Sequence, residues 1–247
     1  GIEEHELPGG RGMCIIIEND FKDEVHENVI PNKDIENLTK EEIVNIVKEA
    51  GIVGMGGAVS TTLITGVLSA RKGFAKPIGS ITQMASIKMQ DGKEHFIKDI
   101  VPIADLKDIK FGGWDIFEDN VYDAAMYAEV LKEKDLNNVK DELIEIKPMP
   151  AVFDHNFAKR LNGTYIKKAE TRWDMVELLR QDIRKFKEEN ECDRIVVLWA
   201  ASTEIYIPLA EEHKSLESLE KAMKDNRTDI IAPSMCYAYA ALSEGAP

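Results

Sequence analysis

The chain has 247 residues, 44% of them apolar, and 45 acidic against 31 basic residues give it a formal charge of −14. That length and apolar content suit one large globular domain or two small ones with a sizeable core. The acidic excess excludes general binding to nucleic acid or to anionic membrane surfaces, both of which take a surplus of Lys and Arg. Residues 1 to 38 are polar and broken by Gly and Pro, with one short β-like run, "MCIIIE". "LTKEEIVNIVKEAG" then predicts a helix: Thr39 is placed as N-cap, Glu42 completes a capping box, Ile43, Ile46 and Val47 share a face, and Gly51 is placed as the C′ stop.

Beyond residue 58, apolar strand-like runs alternate with helical patterns, as a parallel α/β sheet requires. Strands are predicted at 77–84 ("PIGSITQM"), 108–116 ("DIKFGGWDI"), 142–149 ("ELIEIKPM") and 193–203 ("DRIVVLWAAST"). The last is continuously apolar from Ile195 to Trp199, which suits a strand covered on both faces. Helices are predicted at 58–72, 119–133, 172–190 and around 215–224. In the third of these Val176, Leu179, Ile183 and Phe186 form one apolar stripe opposite a dense charged face.

Three places could carry chemistry. Gly54, Gly56 and Gly57 stand directly before a helical run that begins Ala58-Val59-Ser60. Glycine lets the backbone approach a pyrophosphate, and the first N–H groups of a helix are free to bind anionic oxygens. The spacing is G-x-G-G, not the full dinucleotide pattern, so a glycine-rich helix connection without a ligand stands as an equal reading. In "FGGWDIF", Trp114 could wall a pocket and Asp115 could accept from a ribose hydroxyl, or Asp115 could simply cap the next helix. In "LWAAST", the small Ala200 and Ala201 would let a flat ring come close, or would pack the strand tightly on a helix.

Other chemistries are excluded by pattern. Cys14, Cys192 and Cys236 are far apart and without CxxC spacing, so neither a disulfide framework nor a zinc site is suggested, and a reducing, cytoplasmic environment is expected. The histidines at 5, 26, 95, 155 and 213 form no HxH, HxxxH or HExxH, so no metal is expected. There is no GxSxG nucleophile turn and no GKS/T phosphate loop. No apolar run approaches the ~20 residues of a membrane span. The acidic start "GIEEHELPGG" lacks the features of a signal peptide.

Five ordered blocks, "GGAVSTTLITGVLSARKGFAKPIGSITQM", "FGGWDIFEDNVYDAA", "FDHNFAKRLNGT", "LLRQDIRKFKEEN" and "IVVLWAASTE", resemble inositol-3-phosphate synthase of the bacterial type from about Gly56 to Pro247. The resemblance implies an NAD-binding Rossmann domain that serves conversion of glucose 6-phosphate to 1D-myo-inositol 3-phosphate. That reaction runs by oxidation at C5, aldol cyclisation of the enolate onto C1, and reduction of the ring ketone by the same cofactor. It also implies a homo-oligomer, which this fragment is not expected to assemble. It places the diphosphate on Gly57-Ala58-Val59-Ser60, adenosine near Asp115, and further dinucleotide contacts on Ala200, Ala201 and Arg180. The family's chain continues past the segment matching "SMCYAYAALSEGAP" into its catalytic part, so no catalytic residue is assigned.

At the front, "ENDFKDEVHENVIPNKDIENLTKEEIVNIVKEAGIVGMGGA" resembles instead the soluble, flavin- and NADH-associated component of the Rnf electron-transport complex. The expected organisation is therefore a composite, joined at a shared G-x-G-G-A. An irregular α+β segment over 1–55 would precede a partial Rossmann domain over 56–247, whose first strand is reduced to Gly51-Ile52-Val53. Loss of that central strand implies low stability and weak NAD affinity. Two alternatives are kept: a flavin- or NADH-binding subunit of a membrane-associated electron-transport complex, and a truncated α/β domain that binds nothing.

Overall fold

The structure, a computed structural model, describes residues 2–6, 13–17, 49–101 and 103–247. The chain divides into two units, residues 1–39 and 40–247. In the first, β1 (Ile2–Glu6) and β2 (Met13–Ile17) pair antiparallel with Ile2 opposite Ile17, and β2 is the expected "MCIIIE" strand.

The second unit is built on a four-stranded parallel sheet in the order β7-β6-β3-β8. Its strands are β3 (Glu49–Val53), β6 (Lys110–Asp115), β7 (Met149–Pro150) and β8 (Val196–Trp199). β3 lies between β6 and β8, with Val53 aligned to Trp114 on one side and to Trp199 on the other. Alternation along β3 sends neighbouring side chains to opposite faces. Ile52 joins Met55, Ile64, Leu68, Val121, Leu136 and Leu143 in one buried cluster, while Val53 joins Trp114, Val176, Leu179, Ile183, Cys236 and Tyr237 in the other. Burying both stabilises the fold by about 1.5–3 kcal/mol each.

The expected defect in the first strand is thus corrected. Glu49–Val53 is a five-residue strand with a partner on each side. Gly51, expected to stop a helix, is an internal strand residue aligned with Gly112 and Val197. Two ladders and two buried faces outweigh the helical preference of a Glu-Ala pair. Thr39, Glu42, Ile43, Ile46 and Val47 lie outside the described residues. Because β3 begins at Glu49, the sheet reaches to the near side of the boundary expected at residue 55.

The expected helices at 58–72, 172–190 and 215–224 are α1 (Ala58–Arg71), α7 (Arg172–Glu189) and α8 (Leu216–Lys224). Thr171 and Asp174 close a capping box on α7. The expected 119–133 helix divides into α4 (Val121–Ala128) and α5 (Glu133–Asn137), because Glu129 turns left-handed at φ 53°. The 77–84 strand is absent: Ser80 N–H closes a turn on Pro77 O, and Ile81–Met84 is a single helical turn, α2, with Ile78 and Ile81 exposed. Beyond it β4 (Ser86–Lys88) and β5 (Glu94–Phe96) form a hairpin, followed by α3 (Ile97–Ile100).

The 142–149 strand is mostly helix α6 (Lys140–Glu145), which buries Leu143, and only Met149–Pro150 reaches β6. A short apolar run reads equally as strand or buried helix, and packing against α4 decides it here. The last helix, α9 (Pro233–Ser243), begins with Pro in its first turn and packs on α7, and no sequence pattern assigned it.

β6 and β3 approach so closely that a Cβ on Gly113 would lie 1.9 Å from the carbonyl oxygen of Ile52. Gly113→Ala is expected to lower stability by about 3 kcal/mol, or roughly 10 °C in Tm. Gly66→Ala, on an open stretch of α1, should raise stability by about 0.5–1 kcal/mol. Thermal melts of the two variants check the contrast.

Candidate functional site

The carboxyl ends of β3, β6 and β8 converge on one cavity of about 550 Å³, within the range of ordinary ligand pockets. The turn after β3 is fixed by several hydrogen bonds. Gly54 and Met55 donate their N–H groups to Trp114 O at 2.9 and 3.1 Å, and Ala200 N–H donates to Val53 O at 3.0 Å. Gly57 N–H and the Ser60 hydroxyl both reach Gly54 O, at 3.1 and 2.8 Å. Gly54 holds φ +80°, and a Cβ there would stand 2.7 Å from the Ala201 backbone, so both conformation and space demand glycine.

Asp115 connects β6 to this turn. Its Oδ2 accepts the Gly56 N–H at 2.8 Å and its Oδ1 accepts the Phe117 N–H at 3.1 Å. The carboxylate is thus a brace between two loops as well as a wall of the cavity, on which it is only 9% exposed. α1 opens with Gly57 as an N-cap that has no side-chain hydrogen bond, and its first turn holds no acidic residue. The positive end of the helix dipole is left for an anion.

The remaining wall is uncharged or acidic. Trp199, Ala200, Ala201 and Tyr237 contribute apolar surface, and Asp119 and Glu204 contribute carboxylates. No Lys, Arg or His is among the described residues that line the cavity. Glu204 accepts from both the N–H and the hydroxyl of Ser234, in the first turn of α9, which fixes the loop after β8. Tyr237 receives the Val152 N–H at 2.7 Å, and burial pushes its phenol above the ordinary tyrosine range. Its neighbour Cys236 is buried within α9, where desolvation pushes the thiol up to about 12.

The structure brings together Gly54, Gly56, Gly57, Trp114, Asp115, Ala200 and Ala201 around the cavity. The Trp114 indole N–H turns away from it to Asp182 Oδ2 at 2.6 Å, and Asp182 also pairs with Lys167 at 2.7 Å. Ser60 is buried beneath the turn, while Ala58 and Val59 are exposed beside it and offer backbone rather than side chain. Arg180 is not brought to the cavity. It lies on α7, bonded to Glu244 at 2.6 Å and Glu177 at 2.7 Å, and these partners raise its pKa. Asp119, Glu204 and Tyr237 were missed in the sequence. Glu204 follows "AAST" by one residue, and Tyr237 sits on the unassigned helix, so neither carried a pattern of its own.

Among known proteins, an NAD-binding domain family described as myo-inositol-1-phosphate synthase matches residues 50–247. The chain is 72% identical over 196 residues to inositol-3-phosphate synthase 1 of Bacteroides thetaiotaomicron, covering 79% of this chain and 46% of that protein. It is 32% identical over 213 residues to inositol-3-phosphate synthase 1 of Oryza sativa, covering 79% of this chain and 42% of that one. The crystal structure of inositol-3-phosphate synthase from Caenorhabditis elegans superposes with a TM-score of 0.70 at 27% identity, over 81% of this chain and 43% of that one. The chain therefore spans less than half the length of these relatives.

Asp115→Asn turns one accepting oxygen into an NH₂ that must face an N–H, and is expected to cost about 1–3 kcal/mol. Denaturant unfolding measures it. A burial-shifted thiol such as Cys236 should react with a maleimide at pH 8 only on unfolding, at least ~100-fold more slowly than in denaturant. Mass spectrometry of the labelled peptide reads that rate.

Proposed function

The chain belongs to the myo-inositol-1-phosphate synthase family, and from that premise we propose that residues 56–247, with strand β3, form the NAD-binding portion of an enzyme that isomerises D-glucose 6-phosphate to 1D-myo-inositol 3-phosphate. The observation that carries this reading is the convergence of the Gly54–Gly57 turn, Asp115 and Ala200–Ala201 on one cavity. The cofactor is NAD.

The residues present fit that group. The open amide groups at the start of α1 suit a diphosphate, and the glycine turn leaves room for close backbone approach. Asp115 and Asp119 suit ribose hydroxyls, and the small Ala200 and Ala201 suit a flat ring. Bound there, NAD supplies a hydride acceptor and, when reduced, a donor. The contribution of this chain is to hold and orient the dinucleotide. Braced by Gly56 and Phe117, Asp115 keeps its carboxylate in place without reorganisation. Arg180 takes a structural part, joining α7 to Glu244 at the end of α9.

Among the described residues no helix is long and apolar enough to cross a membrane. The buried free thiol of Cys236 supports a cytoplasmic location.

Because the described residues of the lining are acidic and include no cation, neutralisation of the diphosphate falls to backbone amides and the helix dipole. Calorimetric titration is expected to give NAD a Kd on the order of 10 μM, and NADP, with its extra phosphate, a Kd at least ~10-fold weaker. Absence of NAD binding at millimolar concentration would overturn the cofactor assignment, and equal affinity for the two would overturn the role given to Asp115. Formation of inositol phosphate from glucose 6-phosphate by the chain combined with the rest of a family enzyme tests the activity. Unchanged glucose 6-phosphate despite bound NAD contradicts the isomerase reading alone.

A further inference from the structure

Trp114, Val53 and Trp199 stand in one row across the carboxyl ends of β6, β3 and β8. Aligned positions of parallel strands project to the same face, so the two indoles flank Val53 directly before the glycine turn. Tyr237 of α9 bridges them, its ring centroid 5.3 Å from that of Trp114 and 5.6 Å from that of Trp199, at interplanar angles of 66° and 67°. Edge-to-face contact of this kind is a favoured geometry of aromatic pairs. The Tyr237 hydroxyl is held on Val152, accepting its N–H at 2.7 Å and donating to its carbonyl at 3.3 Å. Trp114, Val152, Trp199 and Tyr237 all line the cavity.

A charged group reaches this row from outside the cavity. The Trp114 indole N–H donates to Asp182 Oδ2 at 2.6 Å, and the ammonium of Lys167 meets the same oxygen at 2.7 Å. Asp182 sits on α7 between Leu179 and Ile183 of the buried stripe, and it is not among the described residues that line the cavity. Trp114 is 2% exposed, and a buried indole N–H needs an acceptor. A neutral acceptor would meet that need. A carboxylate withdrawn from water must also be paired, and Lys167, with 10% of its side chain exposed, pairs it. The outcome is a charge-assisted bond, stronger than a neutral one, on the residue whose main chain also sets the turn. Trp114 O accepts the Gly54 and Met55 N–H groups at 2.9 and 3.1 Å.

We propose that Asp182 is a positioning residue for the cofactor: through the Trp114 indole it fixes the carbonyl that aims the Gly54–Gly57 turn, and with it the open amides at the start of α1. The inference rests on the NAD reading and adds to it a residue that does not line the cofactor cavity. Indole and carbonyl belong to one residue, so a ring released from Asp182 is free to change rotamer, and the carbonyl loses its fixed direction. The turn amides then spread over several geometries, and a ligand that needs them must first order them. Lys167 takes part by holding Asp182 in place.

The test compares Asp182→Leu with Asp182→Asn in the full chain, by amide exchange without ligand and by calorimetric titration with NAD. Leu removes the acceptor at similar volume. Asn keeps an oxygen where the two donors converge and removes only the charge, so it lowers Tm while rescuing the geometry. Asp182→Leu should speed exchange at Gly54 and Met55 by at least ~10-fold relative to Leu68 in the interior of α1, and weaken NAD binding by about 10-fold. Asp182→Asn should return both to within ~3-fold of the parent chain despite its lower Tm. Trp114→Phe, which removes the same bond from the other side, should reproduce both effects, and adding Asp182→Leu to it should change the Kd for NAD by less than ~2-fold. Trp114→Phe also carries the comparison if Asp182→Leu does not fold. Unchanged exchange at Gly54 and Met55 would overturn the proposal. So would a Kd that follows Tm through both Asp182 variants, or full additivity with Trp114→Phe. A parent chain that binds no NAD contradicts the cofactor reading instead, and the exchange rates alone then decide whether Asp182 positions the turn.

Discussion

The candidate site depends on the two-sided pairing of β3. At its carboxyl end Val53 O accepts from Ala200 N–H on the β8 side, while Gly54 and Met55 N–H end on Trp114 O on the β6 side. These bonds bring three loops to one place. Remove the strand and the glycine turn loses the element that carries Gly54 to Ala201 and Gly56 to Asp115. The same strand joins the two hydrophobic clusters, through Ile52 on one face and Val53 on the other, so the geometry of the cavity and the stability of the unit rest on one element.

The electrostatics of the cavity follow from how that element ends. A protein with a surplus of carboxylates has placed three of them, Asp115, Asp119 and Glu204, around the space where an anionic cofactor is proposed to sit. Two are committed to neighbouring amides: Asp115 to Gly56 and Phe117, and Glu204 to Ser234. Their charge serves to position loops, and on the proposed function attraction for phosphate falls to the first turn of α1. Such a site favours a ligand whose anionic part is compact and whose hydroxyl-rich parts face the acids, as in a dinucleotide without a ribose phosphate.

Much of this was legible in the sequence where local pattern and final environment agree. The stripe on α7, the Gly54–Gly57 turn and the "FGGWD" and "IVVLW" strands all appear where expected, and the ends of those strands meet at the cavity. The failures have physical causes. Glu49–Gly51 reads as a helix end from its own residues and becomes strand only because β6 and β8 offer ladders on both sides. "ELIEI" has an alternation that a helix can bury equally well, and Leu143 goes into the α4 cluster. "PIGSITQM" is apolar but finds no neighbour to cover it. Arg180, placed near the cofactor by resemblance alone, lies on α7 away from the cavity lining. Nothing local foretold that Glu244, 64 residues away, would hold it.

Whatever the origin of the residues before Gly54, they supply a strand where the fold needs one. The most direct test is native-state amide exchange at Ile52 and Val53, read by NMR. If β3 is the central strand, both amides exchange only through global unfolding and rank among the slowest in the chain, with Gly51 close behind. Exchange at these positions within a factor of ~10 of an unstructured peptide would contradict the account, since the glycine turn would then have no strand to carry it.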